Sequence, residues 1–175
     1  MKSIREGIFE SNSSSCHSLT IVSKEDYGDF ENGKKLWNPE TENLTSLDDV
    51  YKTVVEDGNE LVRPEEKWST KEEKERIAEL LKLVTKEVFE ANIASLLKKT
   101  NGTLNNETWK NRDDFDLTDD EKNILELLNF IFDSGLYDEE GYYELVGNDY
   151  NHETFKVEEK ISGVDIVAFG HYGYD

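Results

Sequence analysis

Apolar positions along this chain recur with two different periods. Residues 18–23 are β-branched and apolar and read as a strand. Residues 24–33 are acidic and contain glycine, and read as a turn region. Lys34-Lys35-Leu36-Trp37-Asn38 predicts a short second strand, stopped by Pro39. Ser46 is placed to cap a short helix, with Asp48 and Asp49 at its positive end and Gly58 as its close. Leu47, Val50, Val54 and Val55 give that helix its apolar face. Leu61-Val62-Arg63-Pro64 is extended at best, because proline restricts the residue before it.

A helical period then takes over. Ile77, Leu80, Leu81, Val84, Val88, Phe89, Ile93, Leu96 and Leu97 predict one long helix over residues 71–99. Thr70 with Glu73 makes a capping box at its start, and Asn101-Gly102 ends it. A second capping box, Thr118 with Glu121, opens a helix with Ile124, Leu125, Leu127, Leu128, Ile131 and Phe132 on its apolar side and Gly135 as its stop. Residues 138–146 read as a third, short helix. The period returns to two over residues 152–162, with Phe155, Val157 and Ile161 as the inward positions. Gly163 is the turn, and residues 164–172 form the last strand. The pattern is that of an α+β fold in a single domain over residues 1–175. A small antiparallel sheet joins the N-terminal strand to the C-terminal hairpin, with helices packed on one face, the 71–99 helix among them.

Composition narrows the class. Two Pro and 11 Gly in 175 residues are too few for a fibrous or disordered chain. The single cysteine cannot close an intrachain disulfide, so a reducing compartment is the expectation. No apolar h-region follows Met1-Lys2-Ser3, and no apolar run reaches the roughly 20 residues of a membrane helix. A cytoplasmic protein is therefore expected.

Charge changes the picture most. Forty acids face twenty bases, a net charge of -20. Such a chain is poorly suited to bind nucleic acid itself, since phosphate needs Lys and Arg. It suits a ligand of a protein whose own task is to bind nucleic acid. Residues 113–149 hold thirteen acids and one base, Lys122. Mixed charge would keep a surface soluble with less repulsion. The candidate partner-binding residues are accordingly Asp113, Asp114, Asp116, Asp119, Asp120, Glu121, Asp138, Glu139 and Glu140.

Metal and nucleophile chemistry have few residues to work with. Cys16, His17, His152 and His171 are the best soft or borderline ligands, a set that zinc accepts. Glu10, Asp165 or Asp175 could replace one of them. Cys16 and His17 are adjacent, so on an extended strand they point to opposite faces. A hairpin centred on Gly163 sets His171 opposite Phe155, with His152 on the other face and about 10 Å farther along. Cys16 or one of Ser13, Ser14 and Ser15, activated by His17, could instead form a nucleophile–base pair. The chain has neither a G-x-S-x-G elbow nor a G-x-x-x-x-G-K-[ST] loop. The polar run can equally serve structure, its Asn and Ser side chains satisfying an irregular backbone.

Arg5-Glu6-Gly7-Ile8-Phe9-Glu10-Ser11-Asn12-Ser13-Ser14-Ser15-Cys16-His17-Ser18 also resembles a known signature. It is similar to the opening of a family of phage and prophage proteins, R-x-G-x-F-E-[ST]-N-S-S-S-x-H-S. Arg5, Gly7, Phe9, Glu10, Asn12, Ser13, Ser14, Ser15, His17 and Ser18 match, and Ser11 stands where the family more often has Thr. A looser echo lies in Ala168-Phe169-Gly170-His171-Tyr172-Gly173. The resemblance implies a mobile-element origin rather than a reaction. With the size and acidity of the chain, it resembles phage-encoded anti-CRISPR proteins, including those that block Cas9. That implies a non-enzymatic inhibitor binding a host CRISPR effector nuclease, or another basic nucleic-acid-binding protein. The alternative is a small metal-assisted or Cys/Ser-His enzyme with its site at the 13–17 loop.

Overall fold

Ser23 ends the first strand, β1 (His17–Ser23), and its hydroxyl accepts the backbone N–H of Asp26. That cap, with Glu25 and Asp26 in the first turn, starts helix α1 (Lys24–Glu31) where the sequence suggested an acidic turn. Tyr27 and Phe30, one turn apart, are both buried and justify the helix. The computed structural model describes residues 17–67, 69–147 and 152–173.

Strand β2 (Lys35–Asn38) follows as expected and pairs with β3 (Asn43–Ser46), a strand the sequence did not announce. Ser46 caps α2 (Leu47–Leu61), accepting the N–H of Asp49. Gly58 does not close this helix. It lies inside it, where a Cβ would come within 3.0 Å of the Leu81 side chain, so the glycine allows a close helix–helix approach.

The long helix of residues 71–99 is two helices, α3 (Lys71–Leu83) and α4 (Lys86–Lys99). Thr85 breaks it: its backbone is extended and its hydroxyl accepts the N–H of Val88, starting a new N-terminus. The apolar stripe runs through the break because both helices pack on α6 (Asp119–Ile131), as does α2. Leu80, Ile93, Leu96, Ile124 and Leu128 lie in this helical core.

Between α4 and α6 run β4 (Thr103–Leu104), α5 (Asn106–Lys110) and a single 3-10 turn (Arg112–Asp114). After α6 come β5 (Leu136–Tyr137), α7 (Glu139–Gly147), β6 (His152–Ile161) and β7 (Val164–Gly173). The strands form two antiparallel sheets, ordered β1-β7-β6 and β3-β2-β5-β4, so the α+β class stands while the single sheet does not. β1 and β7 share a sheet as expected, with Thr20 opposite Phe169. The helices on that sheet are α1 and α7, not α3 and α4. Its inner face is aromatic: Phe169 meets Tyr27, Phe30 and Tyr142 at 5.2–5.6 Å between ring centroids.

The β6–β7 turn has two residues, Ser162 and Gly163, both at positive φ (52° and 84°). It pairs Ile161 with Val164 and therefore His171 with Thr154, one residue from the register expected about Gly163 alone. A one-residue slip reverses every face. Val157 and Ile161, expected inward, are 45% and 59% exposed. Val22, Val167 and Phe169 point inward in their place.

Candidate functional site

The carboxylates of residues 113–140 separate into two groups. The capping box at Thr118 fixes the orientation of the first turn of α6: Thr118 Oγ1 accepts the N–H of Glu121, and Glu121 accepts the N–H of Thr118. Glu121 is thereby turned inward, and Asp119 and Asp120 are left at the surface. Asp113, Asp114 and Asp116 on the preceding turn are exposed as well. Lys122 reaches one of the five, Asp113, at 3.4 Å. Arg112 is held elsewhere, its guanidinium 4.0 Å over the Trp109 ring and donating to the Trp109 carbonyl. Asp119 and Asp120 also sit in the first turn of α6, at the positive end of its dipole.

Three of the nine proposed partner-binding acids are engaged within the fold. Glu121 is 2% exposed at its side chain, with Lys99 Nζ at 2.8 Å. Burial pushes its carboxyl up, but hydrogen bonds from Lys99, Ser95 and the Thr118 N–H outweigh that and hold it at about 2. Asp138 Oδ1 accepts the N–H of Gly141 at 3.0 Å and caps α7, and burial raises its carboxyl above the usual range. Glu139 accepts the Tyr27 hydroxyl at 2.5 Å, with Lys156 at 4.0 Å. Glu140 is exposed at the start of α7.

A second acidic surface was not legible from the sequence. Glu40, Asp57, Glu60, Glu66, Glu73 and Asp133 surround a cleft of about 730 Å³, with Leu61, Ile77, Phe130 and Ile131 between them. Among the described residues no Lys or Arg lines it. Burial and the neighbouring Glu60, Glu56 and Glu40 raise the carboxyl of Asp57, the signature of a crowded negative field. These acids come from widely separated parts of the chain and form no run, so only the fold brings them together.

The proposed metal ligands are only partly accounted for. Cys16 lies outside the described residues, as do Ser13, Ser14, Ser15, Glu10 and Asp175. His17 and His152 occupy backbone positions opposite Tyr172 and Gly173. His152 is two residues from Thr154, the partner of His171, rather than three from Phe155. His171 Nδ1 lies 2.7 Å from Ser18 Oγ across the β1–β7 pair, a contact that follows from the register. Asp165 pairs with Lys160 at 3.4 Å. Among the described residues, no three His, Cys, Asp or Glu side chains are grouped to hold a metal ion.

The Tyr142 ring is buried, 1% exposed, and among the described residues its hydroxyl has no hydrogen-bond partner. Burial pushes this hydroxyl up to about 12, with the nearby Ser18 hydroxyl pulling the other way. Ser18 and His171 therefore meet on the inner face of the three-stranded sheet, the face whose Phe169 packs on Tyr142.

Among the described residues no helix is long and apolar enough to cross a membrane. No family model matches the chain, and neither curated proteins nor solved structures give a match.

Proposed function

We propose that this protein is an acidic, non-enzymatic ligand of a basic nucleic-acid-handling protein and acts by stoichiometric binding. The observation that carries this reading is the exposed set Asp113, Asp114, Asp116, Asp119 and Asp120, gathered at one turn–helix junction and met, among the described residues, by a single lysine. The net charge of -20 adds a long-range field of the same sign. Such a surface steers association with a cationic groove, and the attraction is screened by salt.

The N-terminal resemblance to phage and prophage proteins supports a target in host defence, a CRISPR effector nuclease of the Cas9 type in the bacterial cytoplasm. The channel of such a nuclease holds guide and target strands and is positively charged. An acidic protein lodged in it keeps target DNA out without cutting anything. Titrating the nuclease with this protein tests the reading: cleavage should stop at about one inhibitor per nuclease. Inhibition should weaken as salt rises, and reversal of the five aspartates to lysine should abolish it.

One observation favours a second reading. The Ser18–His171 hydrogen bond is the contact a nucleophile–base pair would make, and it would place an enzyme site, with or without zinc, beside the 13–17 loop. That reading requires activity at substoichiometric amounts, lost in Ser18→Ala or His171→Gln and indifferent to the acidic cluster.

A further inference from the structure

Of the large apolar side chains that are exposed among the described residues, Leu19, Val157, Ile161 and Val164 share one face of the three-stranded sheet; Leu83 and Leu145 lie elsewhere. The register fixes this. Residues directly opposite share a face, and successive residues alternate. Leu19 and Phe155 both oppose Gly170, Ile21 and Val157 both oppose Ala168, and Ile161 opposes Val164. Helices α1 and α7 pack on the other face, where Val167 and Phe169 are buried.

The apolar face is poor in charge within a chain that is rich in it. Its carboxylates are Glu153 and Glu159, and Glu153 accepts the Tyr172 hydroxyl. The lysines of β6 belong to the opposite face: Lys156 lies 4.1 Å over the Tyr27 ring, and Lys160 pairs with Asp165. Neither a basic nor an acidic partner is selected by such a surface. It fits another charge-poor, apolar sheet of its own size, and this chain presents one.

We propose that two copies of this protein stack through these faces about a twofold axis, sheet on sheet at about 10 Å. Two strands of ten residues and one of seven, about 4.8 Å apart, cover roughly 430 Å² before side-chain relief. A standard interface takes roughly 800 Å² per partner, so a face of this size suits a small, reversible dimer. Each copy carries a charge of -20, which opposes the pairing. Salt screens that repulsion and strengthens the dimer, whereas it weakens capture of a basic partner by the acidic cluster.

Sedimentation velocity of the full chain over a concentration series, in low and in high salt, tests this. The wild type should pass from monomer to dimer as concentration rises, at lower concentration in high salt. Val157→Lys with Val164→Lys should remain monomeric throughout. Those lysines reduce the net negative charge, so general electrostatics alone would favour association, and their effect reports on the face itself. Leu83→Lys, at an exposed apolar position outside this face, should dimerise like the wild type. Circular dichroism checks the fold of each variant. If the lysine pair loses it, Val157→Thr with Val164→Thr keeps the β-branched shape and should weaken the dimer at least several-fold. A wild type that stays monomeric in high salt overturns the proposal. So does a dimer that salt weakens, or one that the folded face variants leave unchanged.

Discussion

Lys99 Nζ, in the last turn of α4, lies 2.8 Å from Glu121 Oε2, in the first turn of α6. The carboxylate is almost fully buried and the lysine is 30% exposed at its side chain, so the two partners are not equivalent. Lysine can rehydrate when the pair is broken, but Glu121 cannot. Lys99→Met should therefore destabilise the fold by about 3 kcal/mol or more, because it leaves a buried charge uncompensated. Urea unfolding at neutral pH measures this.

The same pair sets a pH dependence. The folded carboxyl of Glu121 sits at about 2, below its ordinary 4.5, so the stability it contributes is present above pH 4.5 and is lost as pH falls toward 2. At roughly 1.4 kcal/mol per unit the contribution is on the order of 3 kcal/mol. Wild type should lose stability across that window. The gap between wild type and Lys99→Met should narrow over it, since protonation removes the charge that the variant leaves unpaired. Parallel unfolding curves at pH 6, 4 and 3 would show it; a gap that stays constant would contradict it.

Gly102 and Asp138 are coupled by space. Gly102 has φ +71°, and a Cβ there would lie 1.6 Å from Asp138 Oδ1, the atom that caps α7. Gly102→Ala should cost about 2 kcal/mol or more, through strain at positive φ and through displacement of the cap. Asp138→Ala alone should cost about 1 kcal/mol. The double variant should be less destabilised than the sum of the two, because the clash and the cap involve the same atom. Thermal melts of the three variants measure the coupling.

Tyr142 has a buried hydroxyl without a hydrogen-bond partner among the described residues. Tyr142→Phe should therefore be neutral or stabilising by up to about 1 kcal/mol, since it removes an unsatisfied polar group and keeps the ring. Tyr142→Ala should cost about 3–5 kcal/mol, the range for deleting a buried aromatic side chain. A loss above 1 kcal/mol in Tyr142→Phe would mean that the hydroxyl makes a bond in solution, with Ser18 as the neighbour to test.

Local chemistry in the sequence was a good guide to some helix starts. The capping boxes at Thr70 and Thr118 are both formed, because Ser or Thr three residues before Glu is a self-contained device. Thr85 is an N-cap without a reciprocal glutamate, since Val88 stands three residues on, and the apolar stripe passes over it without a change of phase, so neither signal could divide α3 from α4. Ser23 was hidden by the glycine and acids that follow it. Pairing of β1 with β7 was legible from alternation at both ends of the chain. Its partner register was not, because a one-residue and a two-residue turn at Gly163 look alike until Ser162 is known to adopt positive φ. Glu121 could have been read as inward, since it stands three and four residues before the buried Ile124 and Leu125. The acidic cleft around Asp57 and Asp133 had no linear signal at all.

Whether the exposed aspartates form a binding surface decides how this protein acts. The direct measurement is inhibition of target-DNA cleavage by a Cas9-type nuclease, titrated with wild type and with Asp113, Asp114, Asp116, Asp119 and Asp120 all changed to Lys, at two salt concentrations. Glu121, Asp138 and Glu139 stay unchanged, because they hold the fold. The wild type should inhibit completely at about one equivalent, less well in high salt, and the folded charge-reversed variant should not inhibit. No inhibition by the wild type, inhibition far below one equivalent, or equal inhibition by the reversed variant would contradict it.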